Sequence, residues 1–305
     1  MFLKLCNFRL EPCASRNNRQ EINGARTATS ANGSAARIRG QGCPRSEICL
    51  DSWRNKFQAV AVPEPSRCIA VIPCFNESAS IATLVRAVRR QTPSVLVVDD
   101  GSRDDTSERA HAAGAEVIKH ARNLGKGAAL KTGLSRAEKL GYEWAVTLDG
   151  DGQHAPEDLP GLLNCAEETG AMLVIGNRMN EAQEMPWLRR KVNAWMSAQL
   201  SKCAGRHLPD TQSGFRLIHL RAWAALALKT ERFEVESETL MAFLAAGHRV
   251  EFVPIRVRRS ERESHIRPVA DTLRWWRWWR NLHDGTPAVA QADPAMMTAR
   301  TVVFH

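Results

Sequence analysis

The chain has 305 residues, of which 44% are hydrophobic, 25% charged and 6% aromatic. These proportions are typical of a globular protein and exclude a collagen-like, disulfide-rich or wholly disordered chain. The net charge of +9 is uneven, since residues 1–67 hold eleven Lys and Arg against five Asp and Glu, so it indicates a basic leader and not a nucleic-acid-binding domain.

Residues 1–66 show no sustained helical or strand period, and their Arg-, Asn-, Ser- and Gly-rich composition predicts a disordered leader. A transit-type presequence and a start codon placed too far upstream are the alternatives. No apolar run approaches the roughly 18–20 residues of a membrane span. The eight cysteines form no CxxC pair, which favours reduced thiols and a cytoplasmic protein.

From Cys68 onward, short β-branched runs alternate with helical patterns. The predicted strands are 68–73, 94–98, 115–119, 143–148, 171–175, 214–219 and 249–257. The predicted helices are 80–90, 105–113, 127–140, 156–167, 187–204, 236–246 and 271–283. This alternation predicts an α/β fold with a mainly parallel sheet covered on both faces, whose ligands bind at the carboxyl ends of the strands.

Three of these strand ends carry acidic residues. The first strand ends in Pro-Cys-Phe-Asn-Glu (73–77), the second in Asp-Asp-Gly-Ser (99–102) and the fourth in Asp-Gly-Asp-Gly-Gln-His (149–154). Gathering several acids at one edge costs too much free energy unless a cation or a hydrogen-bonding ligand compensates them. The pattern therefore predicts a divalent cation together with a hydroxyl-rich ligand.

The strongest metal signal is the Asp-x-Asp-x-Gln sequence after the fourth strand. Asp149 and Asp151 are two residues apart, so their carboxylates can point the same way in an extended turn, and Gln153 adds a neutral oxygen. Mg²⁺ or Mn²⁺ held by so few protein ligands keeps positions open for phosphate oxygens.

An acid at the end of a second strand can also hold a ribose hydroxyl in a dinucleotide-binding fold. That fold needs a glycine-rich turn after the first strand, where this chain has Pro-Cys-Phe-Asn-Glu, and the sequence contains no GxxxxGK[ST] loop. A Rossmann dehydrogenase and a P-loop enzyme are therefore disfavoured.

The arrangement of these motifs resembles family-two glycosyltransferases, and within them the dolichyl/polyprenyl-phosphate mannosyl- or glucosyltransferase group. The resemblance extends over about residues 67–265 and rests on these motifs in order: VIPCFNE (71–77), VVDDGS (97–102), NLGKG (123–127), LDGDGQH (148–154), IGNR (175–178), DTQSGFR (210–216) and VPI (253–255). It implies a GT-A fold, that is, a Rossmann-like mixed, mainly parallel sheet flanked by helices. It further implies an inverting transfer of a sugar from a nucleotide-sugar donor to a lipid-linked (polyprenyl-phosphate-like) or glycan acceptor.

The same resemblance assigns roles to individual residues. Those expected to bind the nucleotide-sugar are Pro73, Asn76, Glu77, Asp99, Asp100 and Lys126. Asp151 and Arg178 are assigned to catalysis, Arg178 because its planar guanidinium suits phosphate. A hydroxyl acceptor would need a general base, whereas an ionised lipid phosphate would not. Asp210 and Glu236 are candidates for such a base, and neither is assigned.

The chain departs from the family pattern near the acceptor. The polyprenyl-phosphate enzymes commonly have an Arg-x-x-Gly-x-Ser-Lys loop, of which Arg259 and Ser264 are present here. Arg262 replaces the glycine and His265 replaces the lysine, and histidine is only partly charged near neutral pH. Arg259, Ser264 and His265 are expected to contact the acceptor or its phosphate, but a different lipid or a glycan acceptor stays open.

Four of the nine tryptophans lie in the predicted helix 271–283. They fall on one arc of the helix together with Leu282, opposite Arg274, Arg277 and Arg280. Trp opposite Arg is typical of a helix in a membrane interface, although the tryptophans could instead pack on the catalytic domain. The expected organisation is a leader (1–66), a GT-A domain (67–265), an amphipathic helix (266–284) and a flexible tail (285–305).

The resulting hypothesis is a glycosyltransferase at the cytoplasmic face of the inner membrane, with no nucleic-acid partner. A sugar-nucleotidyltransferase is the second enzyme hypothesis. Such an enzyme normally has a glycine-rich, basic loop after the first strand, and this chain has no such loop there. A non-enzymatic membrane- or RNA-binding module, using the leader and the Trp-Arg helix, is the third.

Overall fold

The computed structural model describes residues 65–179, 185–258 and 268–283. Its centre is a seven-stranded sheet. The strands are β1 (Cys68–Cys74), β2 (Ser94–Asp99), β3 (Glu116–Lys119), β4 (Trp144–Thr147), β5 (Leu173–Asn177), β6 (Arg216–His219) and β7 (Val250–Pro254). The helices are α1 (Ile81–Val88), α2 (Thr106–Ala112), α3 (Lys126–Lys139), α4 (Leu159–Thr169), α5 (Trp187–Ala204), α6 (Leu220–Ala224), α7 (Val235–Ala245) and α8 (Pro268–His283). Short 3₁₀ turns occupy Pro65–Arg67 and Pro156–Asp158.

The sheet has the order β3-β2-β1-β4-β6-β5-β7. Only β6 is antiparallel to its neighbours, while every other pair runs parallel. The mixed, mainly parallel sheet predicted from the sequence is therefore confirmed.

The central strand β1 is buried along its whole length. Because side chains alternate across a strand, Cys68, Ala70 and Ile72 enter the hydrophobic core on one face of the sheet, and Ile69 and Val71 enter the core on the other. A strand with two buried faces is apolar throughout, which is why this segment reads as a continuous hydrophobic run.

A crevice opens between β1 and β4 at their carboxyl ends. The paired register of these two strands ends at Val71 and Thr147, whereas β1 continues beside β2 as far as Cys74 and Asp99. Pro73, which has no N–H to donate, falls in this stretch, where β1 is paired with β2 but no longer with β4. The chain connects β1 to β2 on one side and reaches β4 on the other, so this crevice is the switch point where open α/β sheets bind ligands.

Two details differ from the sequence-based expectations. The short helix α6 (Leu220–Ala224) was not predicted, because its five residues are too few to show a helical period. Strand β7 ends at Pro254 instead of residue 257 because Pro254 cannot continue a ladder, and Val257 forms only an isolated bridge with His154.

Candidate active site

The loop after β4 lies directly on the loop after β1. Ser80 Oγ donates a hydrogen bond of 2.9 Å to the carbonyl of Gly150. A Cβ on Gly150 would stand 2.9 Å from Cys74 Cβ and 3.3 Å from the Pro73 carbonyl, so only glycine allows the Asp-Gly-Asp turn to approach this closely. The sequence motifs at the ends of these two strands are therefore in contact.

The loops after β1 and β2 hold each other through hydrogen bonds. The Asn76 N–H donates to Ser102 Oγ (2.8 Å), and Asn76 Oδ1 accepts from the Arg103 N–H (3.0 Å). Asn76 has φ = 56°, a left-handed conformation that asparagine tolerates better than most residues. The Glu77 N–H donates to Thr106 Oγ1 at 2.8 Å. These bonds position Asn76 and Glu77 beside the second acidic motif.

Asp99 and Asp100 are buried and their carboxylates accept hydrogen bonds from the protein itself. Asp99 is 0% exposed and accepts from the Ser102 N–H (2.8 Å) and from the Ser107 hydroxyl. Asp100 accepts from the N–H groups of residues 124 (2.9 Å) and 125 (2.7 Å), and His120 Nδ1 lies 2.8 Å from Asp100 Oδ1. Asp100 therefore fixes the turn that leads into α3.

Lys126, the first residue of α3, bridges two carboxylates. Its Nζ lies 2.5 Å from Asp149 Oδ1 and 2.6 Å from Glu236 Oε1. Burial lowers the pKa of Lys126, but the two carboxylates outweigh burial and raise the pKa overall, so the ammonium stays charged.

The Asp149 carboxylate lies close to His154 and to Gly214 as well as to Lys126. Its Oδ2 lies 3.4 Å from His154 Nε2, and a Cβ on Gly214 would stand 2.5 Å from its Oδ1. Burial raises the pKa of Asp149, yet Lys126 and His154 outweigh that effect and hold the pKa well below its usual range. The Asp149 carboxylate is therefore ionised at neutral pH.

Asp151 and Gln153 are partly exposed on the same turn. Within it, the Gln153 N–H donates to Asp151 Oδ1 at 3.0 Å. In the described part of the chain, no three His, Cys, Asp or Glu side chains gather as a complete metal site. The turn thus carries two carboxylates and one side-chain amide.

Arg178, just after β5, forms a buried bidentate ion pair with Asp210. Its Nε and Nη2 lie 2.8 and 3.0 Å from the two oxygens of Asp210, and its backbone N–H donates to the same carboxylate. Burial raises the pKa of Asp210, but Arg178 outweighs it and lowers the pKa overall. The predicted catalytic arginine is therefore held rigidly at the crevice edge.

Sequence reasoning missed two further cations. Arg189, in the first turn of α5, carries no motif signal. Burial and Arg178 lower its pKa, while Asp149 and Asp151 act in the opposite direction. Arg216 is 2% exposed and donates to the carbonyls of residues 211, 213 and 236. Burial lowers its pKa to about 10. Its place in the DTQSGFR motif was the one available signal.

Helix α8 packs against the domain through part of its tryptophan arc. Trp275 is 2% exposed and donates to Ser237 Oγ at 2.8 Å, and its ring contacts Trp195 of α5 with centroids 5.5 Å apart. Trp278 and Trp279 are partly buried against the same core. Trp276 is 37% exposed, so the arc is divided between packing and exposure.

The predicted acceptor residues Arg259, Ser264 and His265 lie outside the described residues, as do residues 1–64 of the leader, the tail and the side chain of Leu282. Within the described ranges, no helix is both long and apolar enough to cross a bilayer.

Solved structures identify the class of this fold. Glucosyl-3-phosphoglycerate synthase from Mycobacterium tuberculosis, in complex with phosphoglyceric acid, aligns with a TM-score of 0.56 at 21% identity over 71% of this chain and 80% of that one. The same enzyme with Mn²⁺, uridine diphosphate and glucosyl-3-phosphoglycerate aligns with a TM-score of 0.51. The chain therefore has the GT-A glycosyltransferase fold.

The sequence profile of "Glycosyl transferase family 2" matches residues 69–224. The UDP-N-acetylglucosamine–dolichyl-phosphate N-acetylglucosaminyltransferase of Methanococcus voltae is 30% identical over 63% of this chain and 85% of that protein. The undecaprenyl-phosphate mannosyltransferase of Micrococcus luteus is 31% identical over 68% of this chain and 93% of that protein. The chain belongs to glycosyl transferase family 2 and is a glycosyltransferase. Both rival hypotheses are thereby set aside.

Proposed function

We propose that this chain is an inverting, metal-dependent hexosyltransferase that moves a sugar from a nucleotide-sugar to a polyprenyl-phosphate-like acceptor. The observation that carries the proposal is the Asp149–Asp151 turn, which lies against the end of β1 and whose two carboxylates act electrostatically on Arg178 and Arg189. Carboxylates able to hold a cation and arginines able to hold phosphate thus stand at one sheet edge.

The residues of the turn fit a hard divalent cation by their donor chemistry. Asp149, Asp151 and Gln153 offer only oxygen ligands, which suit Mg²⁺ or Mn²⁺. A cation with few protein ligands is completed by phosphate oxygens, and the structural neighbours contain Mn²⁺ or Mg²⁺ together with uridine diphosphate. When bound, the metal would neutralise charge that grows on the departing nucleoside diphosphate.

The loops after β1 and β2 would form the nucleotide side of the site. Pro73, Asn76, Glu77, Asp99 and Asp100 belong to loops already joined by hydrogen bonds, so little conformational freedom would be lost when the donor binds. Lys126 would reach the donor from the start of α3, where Asp100 holds the preceding turn.

The two candidate general bases, Asp210 and Glu236, are both engaged with cations, and this favours an acceptor that needs no general base. Asp210 is bound to Arg178, which makes it a weaker base, and Glu236 lies against Lys126. An ionised lipid phosphate needs no general base and can attack the anomeric carbon directly, with inversion. The names of the relatives, which act on dolichyl phosphate and undecaprenyl phosphate, support the same acceptor class.

Catalysis would then depend on the chain's own cations. Arg178 is fixed by Asp210, so it would meet phosphate charge without reorganising. Arg189 lies in the same helical turn as the exposed side chains Trp187 and Leu188. This would bring the phosphate of a lipid acceptor beside Arg189 while its hydrocarbon chain stays at the exposed surface.

That surface, here called the tryptophan patch, would dock on the cytoplasmic face of the membrane. It consists of the exposed apolar side chains Trp187, Leu188, Trp195, Leu273 and Trp276. The cations of Lys191 and Arg280 lie over two of these rings, 5.2 and 4.7 Å from the centroids. Exposed tryptophan flanked by cations suits an anionic lipid interface. The proposed docking face therefore combines α5 and α8, whereas the sequence pattern placed it on the helix 271–283 alone.

The function is tested with the full chain, Mn²⁺ and a panel of UDP- and GDP-sugars. We expect metal-dependent binding of one donor and transfer of its labelled sugar to undecaprenyl phosphate, at least about 100-fold slower in Asp151→Ala. Asp105→Ala is the control, because it removes an exposed acid whose recorded partner is Arg109. No donor binding, or equal rates in both variants, would refute the transferase proposal, and transfer only to glycans would refute the acceptor.

Membrane docking is tested by sedimentation with phosphatidylglycerol vesicles. The double variant Trp187→Ser with Trp276→Ser should bind at least about tenfold more weakly, since each exposed ring contributes of order 1 kcal/mol or more when it enters an interface. The control is Leu140→Ser, an exposed apolar residue of similar accessibility at the end of α3. Unchanged binding of the double variant would contradict the proposal.

A further inference from the structure

Both oxygens of the Asp149 carboxylate already face a nitrogen atom. Lys126 Nζ lies 2.5 Å from Oδ1, and His154 Nε2 lies 3.4 Å from Oδ2. The lysine contact is the closer of the two and carries a full positive charge. A further cation at Asp149 therefore meets an oxygen that already faces a nitrogen atom, and at Oδ1 that nitrogen is the lysine ammonium.

Lys126 is also held from its other side. Glu236 Oε1 lies 2.6 Å from Nζ, and the Glu236 side chain is 5% exposed. Glu236 Oε2 is buried without a hydrogen bond. Glu236 can therefore retain the ammonium after its contact with Asp149 is broken, so a nearby second position for the charge exists.

A divalent cation and the ammonium would compete for Asp149. Mg²⁺ binds oxygen at about 2.0–2.1 Å, and an ammonium on the same carboxylate would stand within a few ångströms of it. Two positive charges at that separation in a partly buried site repel strongly. One of the two must leave.

We infer that Lys126 is the resident counter-ion of Asp149 in the metal-free enzyme, and that a divalent cation entering the Asp149–Asp151 turn displaces its ammonium onto Glu236. The inference rests on the proposed metal-dependent function and adds to it an internal exchange of cations. Lys126 holds the Asp149 carboxylate in place before the metal arrives, and its displacement offsets part of the metal's affinity.

The experiment measures Mn²⁺ binding alone, by electron paramagnetic resonance of free Mn²⁺, without donor or acceptor. The decisive variant is the pair Lys126→Met with Glu236→Gln, which removes one positive and one negative charge and so preserves the net charge of the site. Because the competitor of the metal is gone, this variant should bind Mn²⁺ at least about tenfold more tightly than the wild type. Lys126→Met alone should bind more tightly still.

Lys131→Met is the matched control. Lys131 lies on the same helix, but its Nζ donates to the Leu228 carbonyl at 3.0 Å and forms no recorded contact with Asp149 or Glu236. Its Mn²⁺ affinity should stay within about twofold of the wild type, since its partly exposed ammonium is bound to a carbonyl and does not compete for the Asp149 carboxylate. Lys126→Arg, which keeps the charge, should bind Mn²⁺ much as the wild type does.

The outcomes separate the two proposals. Mn²⁺ binding that disappears in Asp151→Ala but is unchanged or weaker in the charge-preserving pair would overturn the exchange and leave the metal site intact. Absence of Mn²⁺ binding in every variant would overturn both. If Lys126→Met fails to fold because two buried carboxylates lose their counter-ion, the charge-preserving pair still decides the question.

Discussion

Two acidic strand ends of the same sheet look alike in the sequence and differ in the structure. The carboxylates of Asp99 and Asp100 after β2 accept hydrogen bonds from backbone N–H groups, a serine and a histidine. After β4, Asp149 lies against the ammonium of Lys126, and Asp151 is partly exposed. The difference teaches that two similar acidic motifs can differ in how completely the fold buries them, since Asp99 and Asp100 are buried whereas Asp151 stays partly exposed.

The largest difference between the two strand ends is expected when one acid of each, Asp151 after β4 or Asp99 after β2, is replaced by asparagine. Asp151→Asn should lower the transfer rate at least about 100-fold and leave the free energy of unfolding nearly unchanged. Asp99→Asn should lower the free energy of unfolding by about 1–3 kcal/mol in addition to weakening donor binding, because one of its two buried hydrogen-bond-accepting oxygens becomes an NH₂ group. Denaturant unfolding measures the free energy of unfolding of each variant, and steady-state kinetics measures its transfer rate. The reverse pattern would break the proposed division between the two strand ends.

A smaller effect is expected from moving Asp149 without changing its charge. A Cβ at Gly214 would stand 2.5–2.8 Å from the Asp149 carboxylate atoms, so Gly214→Ala should shift the carboxylate and slow transfer about 10- to 100-fold. Gly161→Ala is the control, because the added Cβ meets only Val253 Cγ1 at 3.7 Å, an ordinary contact. Equal activity of the two variants would show that the position of Asp149 is not critical.

The smallest expected effect concerns stability in acid, and it tests the Arg178–Asp210 ion pair that follows β5. The pKa of Asp210 is lowered below its usual 3.8 in the folded chain, where Arg178 outweighs burial. As the pH falls through about 4, the unfolded chain takes up this proton first, so the free energy of unfolding should decrease. Asp210→Asn should be less stable at neutral pH and lose less stability over that acid range. Parallel pH profiles would contradict this assignment.

Much of the sheet could be predicted because its strands are local patterns. Strand β1 is apolar throughout, since both of its faces are buried, and the strand-end rule then placed the motifs at one edge. The partners of the motifs could not be predicted in the same way. The contact between Lys126 and Glu236 joins residues 110 positions apart, and Arg189 belongs to no motif. Such pairs depend on tertiary packing, which periodicity does not encode.

The tryptophans of α8 are a second case in which the sequence pattern did not predict the tertiary contacts. Helical periodicity placed Trp275 and Trp276 on one arc, but it could not tell which edge of that arc faces the domain. Ser237 gives the Trp275 indole an acceptor inside the protein, whereas Trp276 remains exposed beneath the guanidinium of Arg280. A neighbouring hydroxyl on α7 thus decides which tryptophan is buried.

The buried guanidinium of Arg216 has a consequence for how the site can move. It donates hydrogen bonds to three carbonyl oxygens, two from the segment before β6 and one from the first turn of α7. Gly214, which lies against the Asp149 carboxylate, belongs to the first segment, and Glu236 belongs to the second. Arg216 therefore links the two segments whose residues lie on either side of the Lys126 ammonium. Rearrangement of the catalytic pocket during turnover would have to carry both walls together, or else come from the lysine itself.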